Sequence, residues 1–259
     1  MPMAYNAQEE FHLLIRPGEV GAYVILTGDP GRCEVIAQNL EQAHLVASNR
    51  EFTIYTGLLD GEPVSVCSTG IGGPSAAIAL EELIHCGAHT FIRVGSSGGM
   101  DIDVLGGDLV VASGAIRAEG TTREYAPIEF PAVADVTVTN ALASAARALG
   151  FRYHVGVVQS KDSFYGQHDP ASMPVAPLLQ ANWDAWLRCG ALASEMECAA
   201  LFIVGSVRRV RVGAVLTVLG NQTRREQGLE DIQYHQTDRV IATAVEAFRR
   251  IIAEDKKQS

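Results

Sequence analysis

Short apolar runs alternate along the chain with amphipathic or alanine-rich stretches. The runs are rich in strand-forming residues and predict strands at Tyr23–Leu26, Pro63–Thr69, Thr90–Val94, Asp108–Ala112, Val155–Gln159 and Arg211–Leu219. Helices are predicted after Arg32 to about Leu40, after Ser75 to Ile84, and at Thr137–Leu149, Glu195–Val207 and Thr237–Ile252. This alternation favours a layered α/β fold with a parallel or mixed sheet.

Three of the predicted strands are followed by glycine-rich segments. These are Gly28-Asp29-Pro30-Gly31-Arg32, Gly70-Ile71-Gly72-Gly73-Pro74-Ser75 and Gly95-Ser96-Ser97-Gly98-Gly99. Because ligands in open α/β sheets bind beyond the carboxyl ends of strands, we expect the three segments to converge on one site. The second segment lacks the third glycine of the dinucleotide fingerprint, so we expect no nicotinamide cofactor.

Composition narrows the class of protein. The 259 residues are 47% hydrophobic and 19% charged, without a repeat or a linker-like break, which predicts one globular domain over residues 1–259. The net charge of -10 argues against nucleic acid as a partner. No apolar run is long enough to span a membrane, and five cysteines without a Cys-x-x-Cys pair indicate reduced thiols. We therefore expect a cytoplasmic protein that takes a small molecule.

Two arginines beside the glycine segments are candidates for binding an oxyanion. Arg32 follows the first segment at a helix start, and Arg93 lies inside an apolar strand, where its charge needs a partner. Each also has a structural interpretation. Asp29 would cap a routine turn at Arg32, and an acid would pair with Arg93. The residues alone do not decide between these interpretations.

Two other segments carry candidate chemistry. Glu195-Met196-Glu197 precedes an apolar helix, where carboxylates either complement the helix dipole or bind vicinal sugar hydroxyls. The segment from Lys161 to His168 combines basic, aromatic and amide side chains that suit a heterocyclic base, although a surface loop has the same composition. His85 and His89 have ligand-like spacing without a third ligand, so we expect no zinc site.

Taken in order, these motifs resemble the uridine phosphorylase branch of the hexameric nucleoside phosphorylase family, over nearly the whole chain. Further motifs support the resemblance: Ser48-Asn49-Arg50-Glu51-Phe52, Cys67 to Ser75, Glu129-Phe130-Pro131-Ala132-Val133-Ala134-Asp135 and Phe164-Tyr165. The resemblance implies a three-layer α/β/α fold with a central mixed, twisted sheet. It also implies phosphorolysis of uridine to uracil and ribose 1-phosphate, with inorganic phosphate as co-substrate and no organic cofactor.

The resemblance assigns roles to individual residues. Phosphate would be held by Gly28, Arg32, Arg93 and Ser96, and by Arg50 from a neighbouring subunit of a hexamer built from dimers. Ribose would contact Glu195, Met196 and Glu197, and His12 of a neighbour. Glu51, Ile71 and Ser75 match positions that hold a monovalent cation such as K⁺ between subunits in some relatives. We expect Arg93, Glu197, Lys161 and His168 to be the catalytic residues.

The base pocket departs from the family pattern. A glutamine paired with an arginine two residues later is expected there, but Gln167 is followed by Asp169, and Gln222 replaces a second arginine after Asn221. We expect Phe164, Lys161, Gln167, His168 and Gln222 to recognise the base instead. A purine nucleoside phosphorylase is the alternative function, but Asn221 stands where purine-cleaving relatives carry a proton-donating acid, which argues against it. A hydrolytic nucleosidase comes third, and a nucleoside-binding sensor is a fourth possibility.

Overall fold

The computed structural model describes residues 9–258. Within them, ten strands are β1 (Tyr23–Thr27), β2 (Glu41–Asn49), β3 (Phe52–Leu59), β4 (Glu62–Ser68), β5 (Thr90–Gly99), β6 (Leu109–Ala118), β7 (Ala132–Val133), β8 (Tyr153–Lys161), β9 (Ala193–Glu195) and β10 (Arg211–Asn221). The α-helices are α1 (Gly31–Ala37), α2 (Gly73–His85), α3 (Val136–Ala148), α4 (Phe164–His168), α5 (Ala176–Arg188), α6 (Cys198–Arg208), α7 (Gln222–Glu226) and α8 (Asp238–Gln258).

The strands form one mixed sheet that bends back on itself at β5. Its order is β10-β6-β8-β9-β5-β1-β4-β3-β2, and β10 also pairs with β5, so the first five strands close a ring. Strand β5 lies parallel to β1 and β10 but antiparallel to β9. The predicted mixed sheet is confirmed, and β5 contacts more neighbouring strands than an ordinary sheet strand does.

Helices cover both faces of the sheet, because successive residues of the central strands are buried on opposite sides. Val24 and Leu26 of β1 pack into the core beneath α2 and α6, whereas Tyr23 and Ile25 pack into the core beneath α1, α3 and α8. A strand covered on both faces has a continuous apolar sequence, as in Tyr23–Thr27. The three-layer α/β/α arrangement is therefore confirmed.

Two predicted boundaries were wrong near the carboxyl edge of the sheet. The segment from Gly95 to Gly99 is not a turn but the second half of β5, since it pairs with β10 and β9. Glu195 is not in a helix but ends β9, and α6 begins only at Cys198. Glycine and polar residues gave these segments no strand signal, and tertiary pairing decided their conformation.

Other elements were not predicted at all. Strand β2 is mostly exposed and has two register irregularities against β3, so it shows no regular apolar alternation. Helix α5 has no fully buried residue in the described chain. Neither element could be predicted from a periodic pattern of apolar residues, because neither buries a regular apolar face. The expectation of a single domain over residues 1–259 stays a prediction, because residues 1–8 and 259 lie outside the described chain.

The two-sided burial of β1 predicts a large effect of truncating one of its side chains. Ile25→Ala should lower the free energy of unfolding by about 2–5 kcal/mol, because Ile25 is fully buried and the cavity left behind cannot collapse completely. Leu149→Ala is the control, since Leu149 is 40% exposed and should cost less than about 1 kcal/mol. Denaturant titration measures both. Equal losses would contradict the burial described for β1.

Candidate active site

A cavity of about 640 Å³ opens at the carboxyl edge of the sheet. Its lining includes most of the residues that the sequence singled out: Gly28, Arg32, Ile71, Arg93, Ser96, Lys161, Phe164, Gln167, His168, Glu195, Met196, Glu197 and Gln222. The three glycine-rich segments do converge here, each contributing at least one lining residue. The fold thus gathers residues that are up to 205 positions apart in the sequence, from Gly28 to Gln233.

A buried ion cluster occupies the centre of the lining. The Arg93 guanidinium donates from Nε to Glu195 Oε2 at 3.2 Å and from Nη2 to Glu197 Oε2. All three side chains are at most 5% exposed. Burial by itself would lower the pKa of Arg93, but the two carboxylates raise it on balance, so the guanidinium stays charged. The acid pairing foreseen as the structural interpretation of Arg93 is therefore present.

One nitrogen of Arg93 has no partner. Nη1 is buried and donates to no acceptor among the described residues, although the side chain lines the cavity. An unsatisfied buried donor of a charged group is costly, and an oxyanion in the cavity would satisfy it. The pairing with acids and the binding of an anion are thus compatible, because each uses different nitrogens.

Gly95 explains how the guanidinium fits against the backbone. A Cβ at this position would lie 2.9 Å from Arg93 Nη2 and 2.8 Å from Leu216 Cδ2. The Arg93 side chain therefore folds over the backbone of its own strand, which only glycine permits. This close approach gives the Arg93-Val94-Gly95 sequence a physical meaning that spacing alone did not reveal.

The two carboxylates of the cluster have different surroundings. Glu195 accepts hydrogen bonds from Arg93, from Ser160, and from the backbone N–H groups of Glu197 and Cys198, so its oxygens are held within the protein. Glu197 accepts from Arg93 and from the Gly72 N–H at 2.6 Å. Burial raises the pKa of Glu197, and Arg93 opposes that effect. Of the two, Glu197 has more acceptor capacity left for a ligand.

Residues beside the cluster add to a possible anion site. Arg32 is 28% exposed, and its Nε lies 3.9 Å from Asp29 Oδ2, which is a loose pair. Asp29 instead accepts a hydrogen bond from the Gly31 N–H at 2.9 Å within the turn. The N-cap of α1 is Pro30, so the expected capping by Asp29 was wrong. The Arg32 side chain is therefore available to a ligand, together with Gly28 and Ser96 in the same lining.

A second polar cluster, formed by Lys161, Gln167, Ser194 and Gln222, lies in the same cavity. Lys161 Nζ donates to Ser194 Oγ at 2.7 Å, Gln167 Oε1 is 2.7 Å from the same hydroxyl, and Gln167 Nε2 donates to Gln222 Oε1 at 3.0 Å. Burial lowers the pKa of Lys161 to about 8, while Glu195 and Glu197 act in the opposite direction. This cluster presents amide and amino groups suited to the polar edge of a heterocycle.

Helix α4 contributes the aromatic part of the lining. Phe164 and His168 are four positions apart and share one face of the helix, with ring centroids 4.3 Å apart. Ser163 caps α4 by accepting a hydrogen bond from the Gly166 N–H. Burial lowers the pKa of His168, and Lys161 and Arg225 lower it further. The segment that could have been a plain surface loop is thus a short helix that places two rings at the cavity.

The lining also includes cavity residues that sequence reasoning missed. Arg225 of α7 and Gln233 of the following segment both line the cavity, and both bind Asp231. They follow Gln222 in a polar stretch without apolar periodicity, so no sequence signal separated them from an ordinary surface segment. Ser194 was missed for a similar reason, since a single serine in a three-residue strand carries no pattern.

Asn221 has a structural role. It is fully buried, and its Nδ2 donates to the carbonyls of Asp101 and Val104 at 2.6 and 2.8 Å. Its Oδ1 accepts from the Arg224 N–H and so caps α7. It is absent from the described lining of the cavity. The side chain therefore holds the start of α7 in place rather than reaching toward a ligand.

His12, Arg50 and Glu51 lie together outside the lining of this chain's cavity. Asn49 Nδ2 donates to the His12 carbonyl at 2.8 Å, which ties the N-terminal segment to the turn between β2 and β3. Buried Glu82 receives the backbone N–H groups of His12 and Leu13, and its Oε1 lies 2.6 Å from His12 Nδ1. Glu51 Oε1 accepts from Ser75 Oγ at 2.8 Å, and both side chains lie against Gly70, which precedes exposed Ile71 in the sequence.

No helix within residues 9–258 is long and apolar enough to cross a membrane. Within the same residues, no group of three or more histidine, cysteine, aspartate or glutamate side chains could hold a metal ion.

All five cysteines are free thiols. Four of them are buried, and Cys189 is exposed.

This combination of a mixed sheet, two covering helical layers and a cavity around a buried arginine is that of the phosphorylase superfamily. The model of that family matches residues 22–254, and the chain belongs to it. The predicted resemblance is therefore confirmed at the level of the family.

Individual relatives narrow the comparison. The chain is 60% identical over 255 residues to the uridine phosphorylase of Treponema pallidum, covering 98% of this chain and 99% of the relative. It is 44% identical to the uridine phosphorylase of Thermococcus kodakarensis, covering 85% and 80% of the two chains. It is also 41% identical to the guanosine phosphorylase of Halorubrum lacusprofundi, covering 81% and 83%.

The buried amino group of Lys161 predicts a pH-dependent effect on stability. We expect Lys161→Met to raise the midpoint of thermal unfolding at pH 7, because the charged group costs the folded state on the order of 1–3 kcal/mol there. The advantage over the wild type should shrink as the pH rises from about 8 to 10.5. In that range the native protein has lost a proton that the unfolded chain still holds, which stabilises the wild type.

Calorimetric scans at several pH values measure this difference. Lys257→Met, at the exposed end of α8, is the control and should show no such pH dependence. A lower midpoint for Lys161→Met at every pH would mean that the hydrogen bond to Ser194 outweighs the burial cost, contrary to the expectation.

Proposed function

We propose that this chain is a uridine phosphorylase that converts uridine and inorganic phosphate to uracil and ribose 1-phosphate. The observation that carries the proposal is the unpartnered, buried Nη1 of Arg93 in the cavity lining, which suits an oxyanion. The 60% identity to a uridine phosphorylase over 98% of the chain supports the choice of nucleoside.

In the proposed reaction a phosphate oxygen forms a bond to the anomeric carbon C1′ while the C1′–N1 bond breaks. The electron pair of that bond leaves with the uracil ring, and positive charge develops on the ribose. Arg93, Arg32, Gly28 and Ser96 would hold the phosphate in position for attack. The attraction between the positive charge of Arg93 and the phosphate would be strong in this buried setting, because little water screens it. No organic cofactor enters this scheme.

The ribose and the base would each use one of the two polar clusters. Glu197 would accept hydrogen bonds from the 2′- and 3′-hydroxyls, with Met196 packed on the sugar and Glu195 holding Arg93 in place. Lys161, Gln167 and Gln222 would bind the polar edge of uracil, and His168 with Phe164 would face its ring. The assignments of ribose and of uracil to these residues are supported by their hydrogen bonds and by their positions in the cavity lining.

We further propose that His12 and Arg50 complete the cavity of a second copy of the chain, in a homohexamer assembled from dimers. They lie together, outside the described lining of their own cavity, and Asn49 ties one to the other. Glu51, Ser75 and the Ile71 carbonyl would supply one carboxylate and two neutral oxygens to a monovalent cation such as K⁺. A hard cation needs more oxygen ligands than three, and a symmetric pair of copies would provide six.

A purine nucleoside is the second candidate substrate, because one relative with 41% identity is a guanosine phosphorylase. Asn221 supplies no acid for a purine ring, since its side chain is buried among backbone groups of the 101–104 segment and α7. Uridine therefore stays the first proposal.

The first test is phosphate dependence. Base should be released from uridine only when phosphate is present, and Arg32→Gln should raise the KM for phosphate about tenfold or more, with a smaller change in the KM for uridine. Arg249→Gln is the matched control, because Arg249 also forms a loose 3.9 Å pair with an aspartate. Release without phosphate would indicate a nucleosidase, faster turnover of guanosine a purine enzyme, and binding without turnover a sensor.

The second test addresses the shared cavity. Arg50→Gln and Glu197→Gln should each be almost inactive, but random mixing of the two should restore about a quarter of wild-type activity. Half of the mixed dimers would then combine the variants, and each of these would hold one intact cavity. The control mixes Arg93→Gln with Glu197→Gln, which lie in the same chain's cavity and cannot complement. If Arg50→Gln and Glu197→Gln failed to complement, the shared roles of Arg50 and His12 would be wrong.

A further inference from the structure

Arg225 is a cation in the cavity lining that has a fixed position. Its Nε and Nη2 donate to Asp231 Oδ2 at 3.1 and 2.8 Å. The side chain is nevertheless 62% exposed and lines the cavity. Its Nη1 has no hydrogen bond to the described residues, so this donor is available to a ligand.

Asp231 organises this part of the lining. Its carboxylate accepts from the Asn221 N–H at 2.6 Å and from Gln233 Nε2 at 2.7 Å, in addition to Arg225. The Gln233 side chain lies against Gly220, where a Cβ would come within 2.5 Å of Nε2. The end of β10, α7 and the segment after it are therefore joined through one carboxylate, which holds Arg225 and Gln233 at the cavity.

Three basic side chains share this region of the cavity. Arg225 and Lys161 are both close enough to His168 to act on its titration, and all three line the same space. Among the described lining residues, the acids are Asp29, Glu195 and Glu197, and the last two bind Arg93. Because the pKa of His168 is lowered, its imidazole is neutral near pH 7, and the cations here are Lys161 and Arg225. Two like charges in one space are unfavourable unless an electron-rich or anionic group enters. The proposed reaction creates that group when the C1′–N1 electron pair moves onto the base.

We propose that Arg225, positioned by Asp231, stabilises the negative charge that develops on the departing base. The inference rests on the proposed function. When the C1′–N1 bond breaks, its electron pair spreads from N1 onto the carbonyl oxygens O2 and O4 of the base. A guanidinium N–H would donate to one of them more strongly in the transition state than in bound uridine, and this difference accelerates bond breaking. Arg225 thereby supplies a positive charge beside the base, where the uncharged amides of Gln167 and Gln222 supply none.

The test compares two leaving groups. Arg225→Gln should lower kcat/KM for uridine about tenfold or more, but for 5-fluorouridine by about threefold or less, because its base is more acidic and needs less stabilisation. Asp231→Asn should shift the two substrates in the same direction by a smaller factor. A merely structural role of Arg225 would lower both rates equally, so equal losses, or none, would overturn the inference.

Arg250→Gln is the matched control. Arg250 also uses Nε and Nη2 on one carboxylate oxygen, that of Glu246 in α8, and should leave both substrates unchanged. Arg225→Lys keeps the charge without the forked geometry and should recover part of the loss for uridine. If the wild type released no uracil from uridine and phosphate, the proposed function itself would fail. Wild-type turnover with equal losses in Arg225→Gln would reject the role of Arg225 alone.

Discussion

The buried charge of Arg93 is the constraint on which the rest of the site depends. A guanidinium 3% exposed is tolerated only with partners, and both come from the junction between β9 and α6. Glu195 must be fixed by Ser160 of β8 and by backbone N–H groups, and Glu197 by the Gly72 N–H. One ion cluster therefore ties β5, β8, β9 and the start of α2 together. Since the acids use only Nε and Nη2, the cluster also leaves one donor of fixed direction in the cavity.

Charge is distributed unevenly over the cavity, and the unevenness fits the proposed reaction. Arg93 is neutralised by acids that hold it, whereas Lys161 binds no acid among the described residues, and Arg225 binds only Asp231, outside the lining. In phosphorolysis, negative charge moves from the attacking phosphate to the departing base. A cluster of fixed orientation suits the incoming anion, whose charge is present from the start. A group of weakly neutralised cations suits the base, whose charge appears only in the transition state.

The sequence predicted the parts of this molecule whose burial follows from a local pattern. Strand β1, helix α3 and most of β10 are apolar with clear bounds, and Arg93 stood out because a charge interrupts an apolar strand. Glu195 was placed in a helix because α6 follows directly, whereas its conformation is set by pairing with β8. Arg225 and Ser194 depend on contacts with Asp231 and Lys161, remote or polar partners that leave no periodicity. Polar contacts between side chains are thus the part of the site that cannot be predicted from the pattern of a single sequence.

The N-terminal segment and the turn between β2 and β3 bear on the proposal that a second copy completes the cavity. Buried Glu82 binds two backbone N–H groups and lies beside His12 Nδ1, so the imidazole is held with its Nε2 edge directed away from that carboxylate. Arg50 sits in the left-handed region at φ 55°, which costs a non-glycine residue about 1–2 kcal/mol. The contacts with Glu82 orient the His12 side chain, which lies outside the described lining of its own cavity. A side chain already held in place is what a binding site completed by a second copy would require, since it must meet the ligand without being ordered first.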